Sequence, residues 1–424
     1  MSKHVNHKEI FIAAALILFL VPGICAVYSG FKHTDEVYWN PANVRQDLDF
    51  AEEYPFSSNE SAPETAGENT ILKKIPAAVE KVTGYIDDCC GKYNIVSPFF
   101  YCLYGTTEKA LGKDYIENAE TPVIRLENGY LTYVYQYSEE PVDNTGISAF
   151  HEWLKGKDIP LLFVMPADKS DDRYAVYPEG FSTGYSEMEN EYFTNLDDNG
   201  IPYMDTTEIF LSENNDFYSW FYITDHHWNV HAGFLVALAI AERLKTEFGL
   251  PVETDVLDRA NFTVNAYENI SLGSQGKKAT HGYISPETFE VYEPLFDTAF
   301  SLEISTKMIN RTGVFADTLI NSNALKSGNY YINKCYLAFL YGDVPLAKIH
   351  NLNCKNGTRV LVIKTSDADV VNTYLAFTVE YIDIIDPRHF DGSVRSYIEA
   401  THPDIVLICA FPSEILEYKL LDIK

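Results

Sequence analysis

"RVLVIKTSDADVVNTY", residues 359–374, joins two patterns that together define the fold class. Residues 359–364 form a short apolar run of the kind found in strands that are buried on both faces. The polar residues at 365–367 then predict a turn from that strand into a helix. Similar runs are "IPLLFVMP" at 159–166, "IPYMD" at 201–205, "YIDIID" at 381–386 and "DIVLICA" at 404–410. The later runs are separated by segments long enough for crossover helices, which predicts an α/β fold with a largely parallel sheet.

Residues just past such strands are candidates for chemistry, because open parallel sheets bind ligands at the carboxyl ends of their strands. Lys169, Ser366 and Arg388 each follow one of the apolar runs. A fourth segment, "FYITDHHWNVHAGF" at 221–234, holds three of the chain's 11 histidines. It leads into a helix expected from about Val230 to Phe248, with apolar residues at three- and four-residue intervals. We therefore expect four segments to meet at one rim of the sheet.

Nucleophilic catalysis by a serine requires a base, and the base requires a third group that fixes its tautomer and stabilises its cation. Asp225 and His227 suit these two roles, because one intervening residue allows both side chains to point the same way. Ser366 is the best nucleophile by position, and its own N–H at the helix start is placed to donate to an oxyanion. The alternative interpretation is structural, since serine and aspartate at these positions are commonly helix N-caps.

Four further residues are candidates for oxyanion or substrate contacts: Arg388, Lys169, Trp228 and His226. The two basic residues also fit ordinary ion pairs with the abundant acids, and the tryptophan also fits a packing anchor for the helix start.

Metal binding is a separate interpretation of the histidines. His227 and His231 stand four residues apart, and Asp225 or His226 would complete a site. The zinc-protease motif is absent because no glutamate follows the first histidine of that pair, and no C-x-x-C occurs. We therefore predict no cofactor and keep a metal-dependent hydrolase as an alternative.

The N-terminal third predicts an exported protein. Residues 10–28 carry no charge over a length close to that of a bilayer core, which predicts a transmembrane anchor, with a cleaved signal peptide as the competing interpretation. Lys3 and Lys8 place residues 1–9 in the cytoplasm and the bulk of the chain outside, so we expect a single-pass cell-membrane protein, secreted if cleavage occurs. Residues 29–75 are expected to be an acidic flexible stalk, followed by a domain at 76–424.

Composition and spacing add three expectations. The net charge of −29 argues against a nucleic-acid partner. Alternating polar and apolar residues predict a β-rich insertion at about 250–330. Six of the seven cysteines lie beyond the apolar run, which permits disulfides without indicating their pairing.

Four segments together resemble a known family. "YITDHHWNVHAG" at 222–233 resembles the signature of the DHHW family, which is related to the SGNH-hydrolase-like domain of alginate O-acetylation proteins. "GDVPLAKIHN" at 342–351, "NGTRVLVIKTS" at 356–366 and "IIDPRHFDGSV" at 384–394 follow in the family's order. The similarity spans roughly residues 120–415.

The resemblance implies an SGNH-hydrolase-like three-layer sandwich and a Ser-His-Asp triad for acetyl transfer to polysaccharide. The aspartate falls on Asp225, the histidine on His227 and the nucleophile on Ser366, so the Asp-x-His pair precedes the serine in a circularly permuted triad order. Arg388 matches a family arginine that helps to bind the oxyanion. The family motif K-D-S-Y-A-N-S-F is altered here, with Thr365 in place of its aspartate and Asp367 directly after the serine.

These observations predict a membrane-anchored, extracytoplasmic serine acyltransferase or esterase that O-acetylates or de-acetylates a cell-surface glycan. A transferase would require a multispan membrane partner to carry acyl groups across the membrane. The alternative is a catalytically degenerate glycan-binding or scaffold protein of the same fold.

Overall fold

The computed structural model describes residues 97–117, 121–133, 145–181, 183–326, 328, 330–331, 333–411 and 414. The predicted anchor at 10–28, the stalk at 29–75 and the start of the domain at residue 76 lie outside the described residues. Within those residues, every helix is too short or too polar to cross a membrane. Two compact units divide between Tyr104 and Gly105. Helix α1 (Ser97–Ala110) spans this division, and the following description concerns the second unit.

The central feature is an eight-stranded mixed sheet with the order β5-β4-β13-β11-β12-β10-β8-β9. The first five strands in this order are parallel, and the last three continue the sheet in antiparallel fashion. The strands are β4 (Leu161–Met165), β5 (Tyr203–Asp205), β8 (Phe300–Ile304), β9 (Ile309–Gly313), β10 (Leu346–Asn351), β11 (Arg359–Lys364), β12 (Tyr381–Ile385) and β13 (Ile405–Cys409).

Alternation along β11 shows why its sequence is apolar throughout. Val360 and Val362 belong to a hydrophobic core on one face of the sheet, and Leu361 and Ile363 belong to a second core on the other face. Successive side chains of a strand point to opposite faces, so a strand covered on both sides has no polar face. The structure thus has helices on both faces of the sheet, in three layers.

The first core contains residues of α5 (Val230–Thr246) and α8 (Ala368–Leu375), and the second contains residues of α2 (Thr145–Lys155), α3 (Tyr185–Asp198) and α9 (Val394–Thr401). Helix α5 begins where the sequence predicted. The side chain of its N-cap, Asn229, accepts a hydrogen bond from the amide of Ala232 at 3.1 Å. Three shorter helices are α4 (Thr206–Glu213), α6 (Ser274–Ala279) and α7 (Phe315–Thr318).

The predicted insertion at about 250–330 is only partly confirmed. Strands β6 (Phe262–Ser271) and β7 (Glu287–Pro294) form a separate antiparallel pair, but β8 and β9 join the edge of the main sheet. The sheet is therefore mixed, with the parallel strands that the sequence predicted at one end and antiparallel strands at the other. A third sheet contains β1 (Tyr115–Ile116), β2 (Val123–Arg125) and β3 (Leu131–Tyr133).

Cys335, Cys354 and Cys409 are present as free thiols.

Helices α5 and α8 approach each other closely at Gly233. A Cβ atom built at Gly233 would lie 2.3 Å from Cγ1 of Val370, so the contact has no room for a side chain. The two helices follow the histidine-rich segment and the Ser366 turn, respectively. This contact therefore sets the separation of the two segments that the sequence singled out.

Gly233→Ala is expected to lower the free energy of unfolding by roughly 1–3 kcal/mol, because overpacking outweighs the gain in helix propensity. Chemical denaturation monitored by circular dichroism measures the effect. Gly156→Ala is the matched control, since the nearest atom to its added Cβ is 3.4 Å away. Equal denaturation midpoints for the two variants would contradict the close contact.

Candidate active site

The loop from Tyr222 to Trp228 is anchored by the tryptophan. Trp228 is fully buried, and its indole N–H donates to the carbonyl oxygen of Ala167 at 2.9 Å, just past β4. Its ring also meets Phe210 edge-on, with 5.4 Å between centroids. Trp228 is therefore a packing anchor, and the predicted substrate contact is wrong because the ring has no exposed surface.

Asp225 and His227 form the hydrogen-bonded pair that the sequence predicted. Asp225 Oδ1 lies 2.6 Å from His227 Nδ1 and also accepts the amide N–H of His227 at 3.2 Å. Burial works to raise the pKa of Asp225, but the adjacent His227 outweighs it and holds that pKa well below its usual value. Burial also works to lower the pKa of His227, yet Asp225 raises it overall. Each side chain thus stabilises the charged form of the other.

The backbone at Gly273 and Ser274 completes the shell around this carboxylate. The amide of Ser274 donates to Asp225 Oδ2 at 2.9 Å. A Cβ atom at Gly273 would lie 2.3 Å from Cβ of Asp225, so only glycine lets the chain approach this closely. No role was predicted for these residues from the sequence, although the glycine-rich "GSQG" at 273–276 was a signal for a close backbone approach.

The ammonium group of Lys169 holds the loop at 222–228 in place. Its side chain is buried, and Nζ donates to the carbonyl oxygens of Tyr222 at 2.9 Å, Ile223 at 3.4 Å and Asp225 at 2.5 Å. Burial lowers the pKa of Lys169 to about 8, against the opposing effect of Glu287. Its three donors are directed at these carbonyls, so Lys169 positions the loop and does not face substrate as the sequence suggested.

Glu287, in the antiparallel pair of β6 and β7, also holds this loop in place. At the start of β7, it accepts the amides of Ile223 and Thr224, each at 2.8 Å. The loop is therefore fixed by one buried cation and one carboxylate from two different elements.

His226 has a different environment from His227. Its Nδ1 lies 2.9 Å from Ser274 Oγ and 3.2 Å from Asp225 Oδ1, and the two histidine rings are 3.8 Å apart. Burial, followed by the neighbouring His227, lowers the pKa of His226 to about 3. His226 is neutral at physiological pH and is too weak a base to activate Ser274, despite their contact.

The predicted metal cluster of His226, His227 and His231 is not assembled. His231 hydrogen-bonds through Nε2 to Glu290 at 2.7 Å and through Nδ1 to the hydroxyl of Tyr292. Both nitrogens of His231 are therefore engaged by β7, away from the other two histidines. Asp225, His226 and His227 do bring their ligand atoms within 4.8 Å of one another, but in this structure His227 Nδ1 hydrogen-bonds to Asp225 and His226 Nδ1 hydrogen-bonds to Ser274.

Ser366 lies on the turn between β11 and α8, as predicted, and is half-buried. The carbonyl oxygen of Ser366 accepts the amide of Asp369 at 3.1 Å, which closes the turn. Among the described residues, buried Nε2 of His227 has no hydrogen-bond partner, so the structure shows no hydrogen bond between His227 and Ser366. The second nitrogen of the predicted base is thus available.

Tyr336 connects His227 to the Ser366 turn. Its ring stacks on the imidazole of His227 with 3.8 Å between centroids and 11° between planes. Its hydroxyl donates to the carbonyl oxygen of Asp367 at 3.1 Å. The side chain of Tyr336 therefore connects the histidine segment to the serine turn. No role was predicted for Tyr336 from the sequence.

Asp367, directly after the serine, is buried to 3% exposure. Burial raises the pKa of its carboxyl group to about 7, although the adjacent His227 opposes this shift. With this pKa about half of the carboxyl groups are uncharged at pH 7, so Asp367 opposes negative charge on a nearby substrate oxygen less than a fully ionised aspartate would.

A cluster of buried charged side chains contacts the strand before the Ser366 turn and the helix after it. Lys364 Nζ lies 2.7 Å from both Asp343 and Asp369 and 3.8 Å from Asp386. Arg388 binds Asp386 through Nε at 2.9 Å and Nη2 at 2.6 Å, and Nη2 lies 3.0 Å from Asp343. The guanidinium is therefore committed to two carboxylates, and the oxyanion role predicted for Arg388 is not seen. Its contacts instead connect the end of β12 to the cluster.

Lys364→Met is expected to cost about 3–5 kcal/mol of folding free energy, because it leaves carboxylates buried without their cation. The loss should be smaller at acid pH, where those carboxyl groups take up protons. Urea denaturation at two pH values measures it. Lys157→Met is the control, because Lys157 pairs with Glu399 at 2.6 Å on the exposed surface, where solvent screens the pair and its loss should change stability little. Equal losses in the two variants would show that the cluster is not structurally important.

Comparison with known proteins agrees with this architecture. Residues 134–272 match the family model of the SGNH hydrolase-like domain of the acetyltransferase AlgX. Over this range the chain is similar to an SGNH hydrolase-like domain. The matched range includes Asp225 and His227 but ends before Ser366, so the matched residues are related to an acetyltransferase domain without covering the proposed nucleophile. A comparison with curated proteins gives no significant match.

Solved structures show the same fold. Bacillus cereus PatB1, solved with a sulfonyl adduct, is 19% identical, with 69% of this chain and 97% of that chain covered at a TM-score of 0.56. A DHHW family protein from Eubacterium siraeum is 16% identical, with 73% and 97% covered at a TM-score of 0.54. The resemblance predicted from the sequence motifs is thereby confirmed, and so is the SGNH-like α/β fold.

Proposed function

We propose that the SGNH hydrolase-like domain is a serine acyltransferase or esterase, with Ser366 as nucleophile, His227 as base and Asp225 as the group that orients the base. One observation carries this proposal. The imidazole of His227 is held through Nδ1 by Asp225 at 2.6 Å, while Nε2 is buried and has no partner among the described residues. A buried polar atom without a partner is costly, and it is retained most readily where a reacting group will bind.

The geometry supports a two-step reaction. Ser366 Oγ transfers its proton to Nε2 of His227 as the bond from Oγ to the acyl carbon forms, which produces a tetrahedral oxyanion. Collapse breaks the bond to the donor's leaving oxygen, which takes the proton from the imidazolium and departs. In the second step an acceptor hydroxyl or water gives its proton to Nε2 as its oxygen bonds to the acyl carbon. Collapse then breaks the bond from that carbon to Ser366 Oγ, and Oγ takes the proton back from the imidazolium. Asp225 stabilises the imidazolium in both steps because its carboxylate accepts a hydrogen bond from Nδ1–H.

An acetyl group is the favoured acyl group, because the matched family model is that of an acetyltransferase. The acceptor is proposed to be a hydroxyl of a cell-surface glycan. Water would compete with that acceptor, so the balance between transfer and hydrolysis depends on how well bound substrates exclude water from the site. The Asp225, His227, Ser366 order would make the triad circularly permuted.

Localisation is part of the same proposal. The apolar run at 10–28 would hold the domain at the outer face of the cell membrane. Acetyl donors are made in the cytoplasm, so a transferase at this location would act with a multispan partner that delivers the acyl group. Mild crosslinking of the full chain in membranes should capture that partner, and its consistent absence would favour the esterase.

The acylation test uses the full chain in detergent, mixed with an aryl acetate. We expect a burst of phenol and one added acetyl group by intact mass. Ser366→Ala and His227→Ala should remove both, with acylation rates lower by about 10³-fold or more.

Ser274→Ala is the matched control, because Ser274 touches His226 and not the proposed base. It should still be acetylated, at a rate within about tenfold of the unmodified chain. An adduct that persists in Ser366→Ala but disappears in Ser274→Ala would move the nucleophile to Ser274 and overturn the assignment.

A non-catalytic glycan-binding role is the second candidate, and the altered serine motif with Asp367 favours it. Under this alternative the folded chain would show no burst and no adduct. Ser366→Ala would then leave glycan affinity unchanged in a pull-down with cell-wall polysaccharide, since binding does not require the hydroxyl.

A further inference from the structure

We propose that Tyr336 is a positioning residue for the triad, with two separate effects: its ring stabilises the cationic form of His227, and its hydroxyl holds the Ser366 turn against the base. The inference rests on the proposed function and goes beyond it, because it assigns a role to a residue outside the triad and outside the motif.

The first effect follows from the stacking geometry. The ring planes of Tyr336 and His227 differ by 11°, so the imidazole lies over the face of the phenol ring at 3.8 Å. The face of an aromatic ring is its electron-rich part and attracts a cation, most strongly where water is excluded. Both residues are buried. His227 becomes a cation when it takes the proton of Ser366, so this attraction is strongest at the stage where the reaction needs it.

The second effect follows from the hydroxyl. It donates to the carbonyl oxygen of Asp367, the residue next to Ser366. Burial, followed by the adjacent Asp367, raises the pKa of Tyr336 well above its usual value, so the phenol stays protonated and remains a donor. A side chain that contacts both the base and the turn that carries Ser366 limits their relative movement. Small displacements of reacting groups lower the reaction rate.

Tyr336 is itself well held. The neighbouring Cys335 is buried, and its Sγ donates to the carbonyl oxygen of Ile270 at 3.4 Å, close to the Gly273 backbone that surrounds Asp225. The ring of Phe339 meets that of Tyr336 at 5.6 Å in an edge-on arrangement. The segment thus bonds to Ile270, three residues before Gly273, on one side and to the Ser366 turn on the other, and contacts on both sides are what a positioning residue requires.

Several titratable groups surround His227, and the test must separate their effects from that of Tyr336. They are Asp225 and His226 on its own loop, Asp367 on the serine turn and Asp343 before β10. None of these is changed in the variants below, except Asp225 in the positive control.

The experiment measures the pKa of His227 by NMR titration of its ring in the full chain, which needs no catalytic activity. Tyr336→Phe keeps the stacked ring and should leave this pKa nearly unchanged. Tyr336→pentafluorophenylalanine has almost the same shape but reverses the charge pattern of the ring. It should lower the pKa of His227 by at least about half a pH unit relative to Tyr336→Phe. Asp225→Asn, the positive control, should lower it as well. Equal values for the two ring variants would overturn the first effect.

The second effect is measured by the rate of acylation with the aryl acetate at a pH where His227 is neutral. Tyr336→Phe should acylate about tenfold more slowly than the unmodified chain, with an unchanged thermal unfolding midpoint. Unchanged acylation would overturn the proposed tie to the turn. A chain that never acylates but shows the NMR difference would refute the proposed function while leaving the stacking effect in place, so the two failures are distinguishable.

Discussion

The contact between Asp225 and His227 depends on a carboxylate that stays charged although it is buried. Burial alone would raise the pKa of Asp225, and the structure reverses that tendency with the Ser274 amide and with the imidazole itself. Two consequences follow from this single constraint. The loop must be held rigidly, which explains the buried ammonium of Lys169 behind it. The opposing backbone must also come very close, which explains Gly273.

The serine turn depends on a second buried charge arrangement. Lys364 ends β11 and meets Asp343 and Asp369, so the strand before Ser366 and the helix after it are joined by one cation. Helix α8 is placed in turn by the contact of Gly233 with Val370. The two halves of the site are therefore positioned separately, by packing and by ion pairs, and Tyr336 is the side chain that spans them. This arrangement explains why the motif histidines and the serine can lie far apart in the chain.

Local patterns predicted local structure well. The strand at 359–364 and the Asp225–His227 pair were predictable because their evidence lies within a few residues. The sequence also predicted a β-rich insertion at about 250–330, but alternation does not specify which sheet a strand joins, and β8 and β9 belong to the main sheet. Lys169 and Arg388 were expected at the rim, yet their backbone and carboxylate partners come from other segments and made them structural. Tyr336 carried no signal at all, since its two contacts belong to segments distant in sequence.

The assignment of Ser366 as nucleophile is best tested by a crystal structure of the full chain after reaction with an arylsulfonyl fluoride, a reagent that labels activated serines. We expect sulfonyl density on Ser366 Oγ, with Nε2 of His227 within about 3 Å of that oxygen. The Tyr336 ring should still lie against the imidazole. Density on Ser274, or an unmodified Ser366 with His227 Nε2 directed elsewhere, would contradict the assignment of the nucleophile and the central claim with it.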